Sequence, residues 1–287
     1  MKGWLIVNGF IKSAKFTDLY ELFSDAAEKA DVRLEIKTSD SLVCATDESF
    51  SADLPDFILF WDKDVYLARR LESFGIPLFN SSRAVEVCDD KILTVLALGG
   101  KVPVPKTVIV PKTYEGIGYN DFGFLRRAIV NLGLPIVIKE AYGSFGQQVY
   151  LARSFEEAEE MVSRIGYKPC LIQKFISSSC GRDVRINVVG GKVVASMLRY
   201  NERDFRSNVS GGGKTQPFCP SEEQKEVAVD ACEILGLDFA GVDVLFGENG
   251  VSYVCEVNSN PHFKSTLDCT GINLAPIILG HIKDKIR

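Results

Sequence analysis

Histidine is nearly missing from this chain: two in 287 residues, His262 and His281. Neither falls in a triad pattern with a serine or cysteine. His262, beside Asn260-Pro261, reads as a loop residue near the candidate site, and His281 as a structural or exposed residue of the last helix. The eight cysteines, at positions 44, 88, 170, 180, 219, 232, 255 and 269, form no Cys-x-x-Cys pair and have no neighbouring histidine. That spacing argues against a zinc or redox site and for reduced thiols in a cytoplasmic protein. Charge of one sign is also lacking, since 33 basic against 38 acidic side chains leave a net charge of −5. Such a chain has no global field to hold nucleic acid or anionic lipid, and neither is expected as a partner. No apolar run is long enough to cross a bilayer. The opening Met1–Gly9 is interrupted too soon for a signal peptide and is expected to be a first strand. No repeat or low-complexity tract occurs. No Gly-x-Gly-x-x-Gly follows the first strand, which argues against a dinucleotide site there.

What is present is an ordinary globular balance, 46% hydrophobic and 25% charged, in a length that suits two or three compact lobes. Over residues 1–89 strand and helix patterns alternate: Leu5-Ile6-Val7, an amphipathic stretch Phe16–Ala30, Arg33–Lys37, Asp56–Trp61, a helix Asp64–Phe74 and the short strand Ile76–Phe79. This alternation predicts a parallel α/β sheet covered on both faces. Residues 90–177 read as a small α+β lobe with an antiparallel sheet. A helix carrying Lys91, Leu93 and Leu96 ends at Gly99-Gly100, and an extended segment starts at Pro103. A helix near Phe122–Leu132, the strand Pro135–Glu140, a glycine loop, the strand Gln148–Ala152, a helix Ser154–Ile165 and the strand Leu171–Ile176 follow. Ser154 is a candidate N-cap with Glu157 in the capping-box position. Residues 178–287 read as a third lobe. It holds a hairpin Asp183–Val189/Lys192–Tyr200 turned at Gly190-Gly191, a polar loop Asn201–Thr215 and a helix Ser221–Leu235 capped by Ser221 with Gln224. A second hairpin, Phe239–Phe246/Val251–Asn258, and a closing helix Gly271–Ile286 complete it.

The chemistry concentrates on the second hairpin. A two-residue turn at Asn249-Gly250 pairs Glu248 with Val251 and sets Asp243 opposite Glu256. Asn258 then shares the Glu256 face, and Val242, Val244, Cys255 and Val257 make the other face apolar. Like charges opposed in a sheet need neutralising. Hard oxygen donors without histidine or cysteine suit magnesium, which completes its shell with phosphate and water, so Asp243, Glu256 and Asn258 are the candidate metal ligands. Lys139 ends an apolar strand just before Tyr142-Gly143-Ser144-Phe145-Gly146-Gln147. A lysine there reaches phosphate while backbone amides of the glycine loop approach the same oxygens. This is not a Walker loop, because the lysine precedes the glycines and no Gly-Lys-Ser/Thr follows. Lys91 is by itself one cation on a helix. Arg203, Arg206 and Asn208, followed by Gly211-Gly212-Gly213, have the composition of a closing lid whose arginines pair with phosphate or carboxylate. Arg185 and Arg199 alternate with apolar residues on the first hairpin; they line the same cleft or face solvent.

Taken in order, these segments resemble the ATP-grasp superfamily, and within it the RimK-like branch of carboxylate–amine ligases. The resemblance rests on Asp90-Lys91, Val137-Ile138-Lys139, Gln173-Lys174-Phe175-Ile176 and Gly181-Arg182-Asp183-Val184-Arg185. It continues through Asp204-Phe205-Arg206-Ser207-Asn208, Ala240-Gly241-Val242-Asp243 and Glu256-Val257-Asn258-Ser259-Asn260-Pro261. It implies an ATP-grasp fold, a parallel N-terminal α/β lobe followed by two α+β lobes that clamp ATP. It also implies one or two magnesium ions, for which manganese can substitute. By this resemblance Lys139 meets the α- and β-phosphates, with Lys91, Gly143, Ser144 and Gly146 at the nucleotide cleft. The segment Gln173, Lys174, Phe175 and Ile176 meets adenine, Asp183 lies near the ribose, and Arg206, Ser207 and Asn208 close over the nucleotide. Arg185, Arg199 and Arg206 are the candidate catalytic cations. The expected reaction is ATP-dependent joining of an amine, such as glutamate or another amino acid, to a carboxylate on a small molecule, peptide or protein tail. The expected intermediate is an acyl phosphate. A phosphoryl-transferring kinase and a catalytically silent nucleotide-binding regulator are the rival readings, and a homo-oligomer stays open. Two departures from the family pattern stand out: Lys174 where an acid is frequent, and His262 where a glycine is frequent.

Overall fold

The computed structural model describes residues 1–43, 45–46 and 53–286; Cys44 lies outside them. The first sheet is built from β1 (Lys2–Val7), β2 (Arg33–Thr38), β3 (Phe57–Trp61) and β4 (Leu78–Phe79), all parallel, in the order β2-β1-β3-β4. All five residues of β3 are buried, as a strand covered on both faces requires. The covers include α1 (Ala14–Lys29) and α2 (Val65–Glu72). Asp64 caps α2 by accepting from the Leu67 amide at 3.0 Å. The expected strand Ile76–Phe79 shortens to β4 because Pro77 has no N–H for the ladder. The sequence reading missed α3 (Ser82–Asp89), whose N-cap is Ser81; α4 (Lys91–Leu98) follows, with the Asp90 carboxylate accepting from Ile92 and Leu93 N–H.

The second sheet comprises β5 (Thr107–Ile109), β6 (Ile136–Glu140), β7 (Val149–Ala152) and β8 (Cys170–Lys174), antiparallel throughout, ordered β5-β8-β6-β7. The helices α5 (Gly123–Leu132) and α6 (Phe155–Ile165) bury Leu125, Ala128, Val162 and Ile165 against Ile136, Ile138 and Ile172. Alternation along β6 turns Val137 and Lys139 to the other face. Ser154 caps α6 through the Glu157 N–H. The Glu157 carboxylate, however, accepts from Arg153 N–H, one residue earlier than a capping box demands.

The third sheet runs β11-β10-β9-β12-β13, from β9 (Arg182–Val189), β10 (Lys192–Tyr200), β11 (Lys214–Pro217), β12 (Phe239–Phe246) and β13 (Ser252–Asn258). Gly190 and Gly191 both have positive φ, 56° and 72°, the geometry of a two-residue primed turn. The polar loop expected through Thr215 gives way to β11, which pairs with β10. Between β11 and β12, α7 (Glu222–Leu235) opens on a complete Ser221–Gln224 capping box. The expected closing helix is two helices, α8 (Lys264–Thr270) and α9 (Leu274–Ile286). Gly271, at φ 74°, ends the first rather than starting the second.

Two cores tie distant segments together. Against one face of the third sheet, α3, α4 and α7 pack through Ala84, Leu98 and Ala228 on Val184, Val188 and Val242. On the other side α9 meets α1, joining Leu274, Ile278 and Ile282 to Leu19 and Phe23, while Trp61 stacks on Phe239 at 5.4 Å. Asn80, fully buried, fixes this arrangement with its whole side chain. It accepts from Asp238 and Phe239 N–H and donates to the carbonyls of Phe239 and Ser259.

Candidate active site

Asp243 of β12 lies opposite Glu256 of β13, and Asn258 sits two residues further along, opposite Gly241. The expected register at these positions is right, although the expected turn is not. Residues 248–250 make a three-residue turn, with Asn249 at φ 56° and Gly250 at φ 83°; Gly247 N–H donates to Val251 O at 2.7 Å, and Val251 N–H turns back to Glu248 O at 3.2 Å. A register shift between Asp243 and Val244 then leaves Cys255 as an extra residue on β13, which restores the alignment. That bulge corrects the placement of Cys255. Its thiol is not on the apolar face but in the cleft, 3.5 Å from the Lys139 Nζ. Val254 takes the buried position instead.

The sheet supplies charge compensation that the sequence reading assigned to metal alone. Arg185 of β9 lies directly across from Asp243 and grips both its carboxylate oxygens, with the Nη2–Oδ2 bond at 3.0 Å. Arg199 of β10 lies across from Asp183 and pairs with it twice, at 2.7 and 2.6 Å, while its Nη2 also reaches Asp243 Oδ2 at 2.9 Å. Burial alone would raise the Asp243 carboxyl. The two arginines outweigh it and hold the group below the ordinary carboxylate range. Asp183, expected at the ribose, thus spends both oxygens on Arg199.

The sequence-predicted nucleotide residues gather around a narrow cleft of about 100 Å³ between the second and third sheets. Lys139 enters it from β6, flanked by Val137. The chain at the end of β8 contributes Gln173, Lys174, Phe175 and Ile176; Gln173 is buried and donates to Thr107 Oγ1 at 2.9 Å. Lys174 N–H is committed to Lys106 O. Arg206, Ser207 and Asn208 close the cleft from the loop after β10. The Arg206 guanidinium is held by Asp204 and donates to Gly146 O at 2.8 Å, so this loop and the glycine loop meet across the opening. Lys91, at the start of α4, donates to Gly143 O at 3.0 Å and stands 3.8 Å from Glu256. Burial pulls its ammonium pKa below the ordinary value, and Glu256 offsets part of that. Ser144 does not join this group. It faces the neighbouring cavity, where Lys63 approaches its hydroxyl at 3.4 Å.

That neighbouring cavity, about 560 Å³, is the larger space, and it was not foreseen. Arg185, Glu256, Asn258 and Asn208 bound it on one side. Asn8, Lys15, Trp61 and Asp62 of the first lobe and Lys264 of α8 bound it on the other. His262 belongs here rather than at a metal. Its Nε2 bonds Lys15 O at 2.9 Å, its ring meets Phe16 edge-on, and burial lowers its pKa. His281 is structural, paired with Asp238 at 2.7 Å.

Among the described residues no group of three or more His, Cys, Asp or Glu is gathered for a metal. A magnesium ion completed by phosphate and water needs fewer protein ligands, and the donors here fit it. The Glu256 side chain is 30% exposed, and its one ion-pair partner among the described residues is Lys91. The Asn258 amide nitrogen donates to Gly241 O at 3.3 Å, which leaves the amide oxygen to meet a ligand. Asp243 keeps one lone pair beyond its three arginine bonds.

Comparison with known proteins finds relatives of the whole fold. The RimK-like ATP-grasp domain family matches residues 90–282. A beta-citrylglutamate synthase B of Danio rerio is 36% identical over 220 residues, which is 76% of this chain and 53% of that protein. The chain thus spans about half the length of that relative. An uncharacterized protein of Mycoplasma pneumoniae is 30% identical across 91% of this chain and 92% of its own length. Among solved structures, an ATP-grasp ligase complexed with a phosphomimetic precursor variant, Mg and ADP superposes with a TM-score of 0.73. It covers 99% of this chain and 98% of its own, at 15% identity. Among the described residues no helix is long and apolar enough to cross a membrane.

Proposed function

Because the chain belongs to the RimK-like ATP-grasp family, we propose that it is an ATP-dependent carboxylate–amine ligase working through an acyl phosphate. The observation that carries this reading is the contact of two spaces at one set of residues. A narrow cleft lined by Lys139, Phe175 and Arg206 abuts a roomier cavity, and Glu256 borders both. A kinase needs the same first space. A ligase also needs room for two further reactants, and a cavity of about 560 Å³ gives it.

ATP would lie with its adenine against Phe175 and Ile176 and its phosphates toward Lys139, Lys91 and the amides of the glycine loop. Magnesium would be held by Glu256, Asn258 and Asp243 and would supply charge neutralisation on the phosphates. In the first step an oxygen of the acceptor carboxylate attacks the γ-phosphorus, and the bond to the ADP oxygen breaks. Arg206 and Arg185 flank the transferring group as fixed positive charges, Arg206 oriented by Asp204 and Arg185 by Asp243. In the second step the substrate ammonium first loses one proton, the free amine attacks the acyl carbon, and phosphate leaves carrying the second proton from nitrogen. Arg199 acts behind these groups by holding Asp183 and Asp243 in place. Closure of residues 201–213 over the glycine loop excludes water that would hydrolyse the acyl phosphate.

The amine is read as an amino acid and the acceptor as a small or peptidic carboxylate, in line with a relative whose name is a citrylglutamate synthase. The divisions 1–89, 90–177 and 178–287 are read as three lobes, each with its own sheet. The seven described cysteines are unpaired, which supports a reducing, cytoplasmic setting. Manganese in place of magnesium is part of the same reading.

The test is ADP release, with magnesium, across a panel of amino acids and carboxylates, with products weighed by mass spectrometry. Substrate-dependent ADP and a product one water lighter than its two components are expected, and Glu256→Ala should abolish both. ADP with a phosphorylated product and no amide would establish a kinase instead.

A further inference from the structure

We propose that Asp62, assisted by Asn8 and Asn260, binds the ammonium group of the amine substrate. The inference deepens the ligase reading and rests on it.

The first observation is topological. In the order β2-β1-β3-β4 the chain leaves β1 toward one edge and returns to β3 on the other side. In open parallel sheets such a reversal opens a crevice beyond the carboxyl ends of the two central strands, and ligands bind there. Asn8 is the first residue past β1 and Asp62 the first past β3. Both line the large cavity, whose opposite wall carries Arg185, Glu256 and Asn258.

The second observation is unspent bonding capacity. Asp62 is 8% exposed, and its Oδ1 accepts from Lys63 N–H at 2.6 Å and Asn8 Nδ2 at 3.4 Å. Its Oδ2 is buried and without a hydrogen-bond partner, although the Ser39 hydroxyl lies nearby. Asn260, whose Nδ2 donates to Asp62 O at 2.7 Å, likewise has a buried Oδ1 with no partner. Both residues line the cavity, and each holds a buried side-chain oxygen without a hydrogen-bond donor. A buried polar group left unpaired is costly, and a buried carboxylate more so.

Among the described residues no lysine or arginine pairs with Asp62. Lys63 pairs with Asp89, Lys264 with Asp268, and Lys15 lies over the Phe145 ring at 4.6 Å. Asp62 forms no ion pair among the described residues. Tyr20 and Asp64 are ionisable neighbours of Asp62 without positive charge. Burial accordingly raises the Asp62 carboxyl above its ordinary value.

A substituted ammonium brings a positive charge and three N–H donors, which suits one carboxylate oxygen and one amide oxygen. A carboxylate would be repelled from the same place. The cavity thereby gains polarity: the amine docks at the first lobe, and the acceptor carboxylate docks at the Arg185 side, next to the phosphates.

The test uses the substrate pair found by the ADP-release panel, with wild type, Asp62→Asn and Asn8→Ala. Asp62→Asn keeps the side-chain shape and the bond from Lys63 N–H while removing the charge. It is expected to raise KM for the amine at least about tenfold while KM for ATP and for the carboxylate changes less than about twofold. Asn8→Ala should raise the amine KM less, and it serves should Asp62→Asn melt far below wild type. Hydroxylamine, neutral near pH 7, should trap the acyl phosphate equally well in wild type and Asp62→Asn. An unchanged amine KM, or equal rises for all three substrates, overturns the inference. If no pair yields an amide, the ligase reading falls, and calorimetry of the amino-acid panel on wild type and Asp62→Asn then decides. Affinity lost with the charge supports the site; equal affinity, or none in either protein, overturns it.

Discussion

Replacing Arg199 with methionine should expose how far the candidate site depends on its buried ion pairs. Methionine is unbranched and fills much of the same volume. What it cannot do is neutralise Asp183, whose only ion pair among the described residues is with Arg199. Asp243 loses its 2.9 Å contact as well but keeps Arg185. Removing one partner of a buried pair and leaving the other charged costs about 3–5 kcal/mol. Against a total stability of about 5–15 kcal/mol, that is a large fraction. At about 2–4 °C per kcal/mol for a chain of this size, the midpoint should drop by roughly 10 °C. Adding Asp183→Asn removes the stranded charge without changing shape, so the double variant should recover at least about 1 kcal/mol of the loss. Urea melts followed by fluorescence of Trp4 and Trp61, both buried in the first sheet, measure each term. A single variant within about 1 kcal/mol of wild type would refute the reasoning, as would a double variant no more stable than the single.

Glu256→Gln should leave ATP binding largely intact and raise the magnesium concentration for half-maximal ADP release at least about tenfold, read by metal titration. Gly146→Val should impair closure, because Gly146 has φ 74° and an added Cβ would lie 2.6 Å from Asn208 Oδ1; the readouts are a higher KM for ATP and, because a branched residue is strained at that φ, a lower melting midpoint. Asn80→Leu strands four buried backbone groups of the first–third lobe junction and should cost at least about 2–4 kcal/mol, seen in thermal melts. The Asp243 carboxyl is held below its ordinary pKa, so its stabilising contribution is complete above the unfolded value and lost as pH falls through the folded one. Wild-type stability from this group should therefore persist through pH 5, and Asp243→Asn should flatten the acid limb of a pH–stability curve.

Legibility in the sequence followed the range of the interaction. Period-two and period-3.6 patterns, glycine turns and Ser–Gln caps act within a few residues, and they located the strands and most helices. The errors were also local in cause. Asn249-Gly250 belongs to a three-residue turn, and Gly271 ends a helix, because several backbone solutions share one turn signature. Short helices such as α3 and α8 carry too few turns for a clear periodicity.

The sequence by itself determined the class of fold, the order of the segments and the acid, amide and lysine types that meet at Asp243, Glu256, Asn258 and Lys139. These follow from which side chains alternate on which strand. Only the tertiary structure decided that Arg185 and Arg199 neutralise Asp243 and Asp183, because strand pairing across β10, β9 and β12 sets those neighbours. It alone put the Cys255 thiol beside Lys139, through a bulge with no sequence mark. It alone brought Asp62 and Asn260, 198 positions apart in sequence, to one wall of one cavity. Contacts of that separation depend on how whole sheets pack, and no local pattern in the chain records that packing.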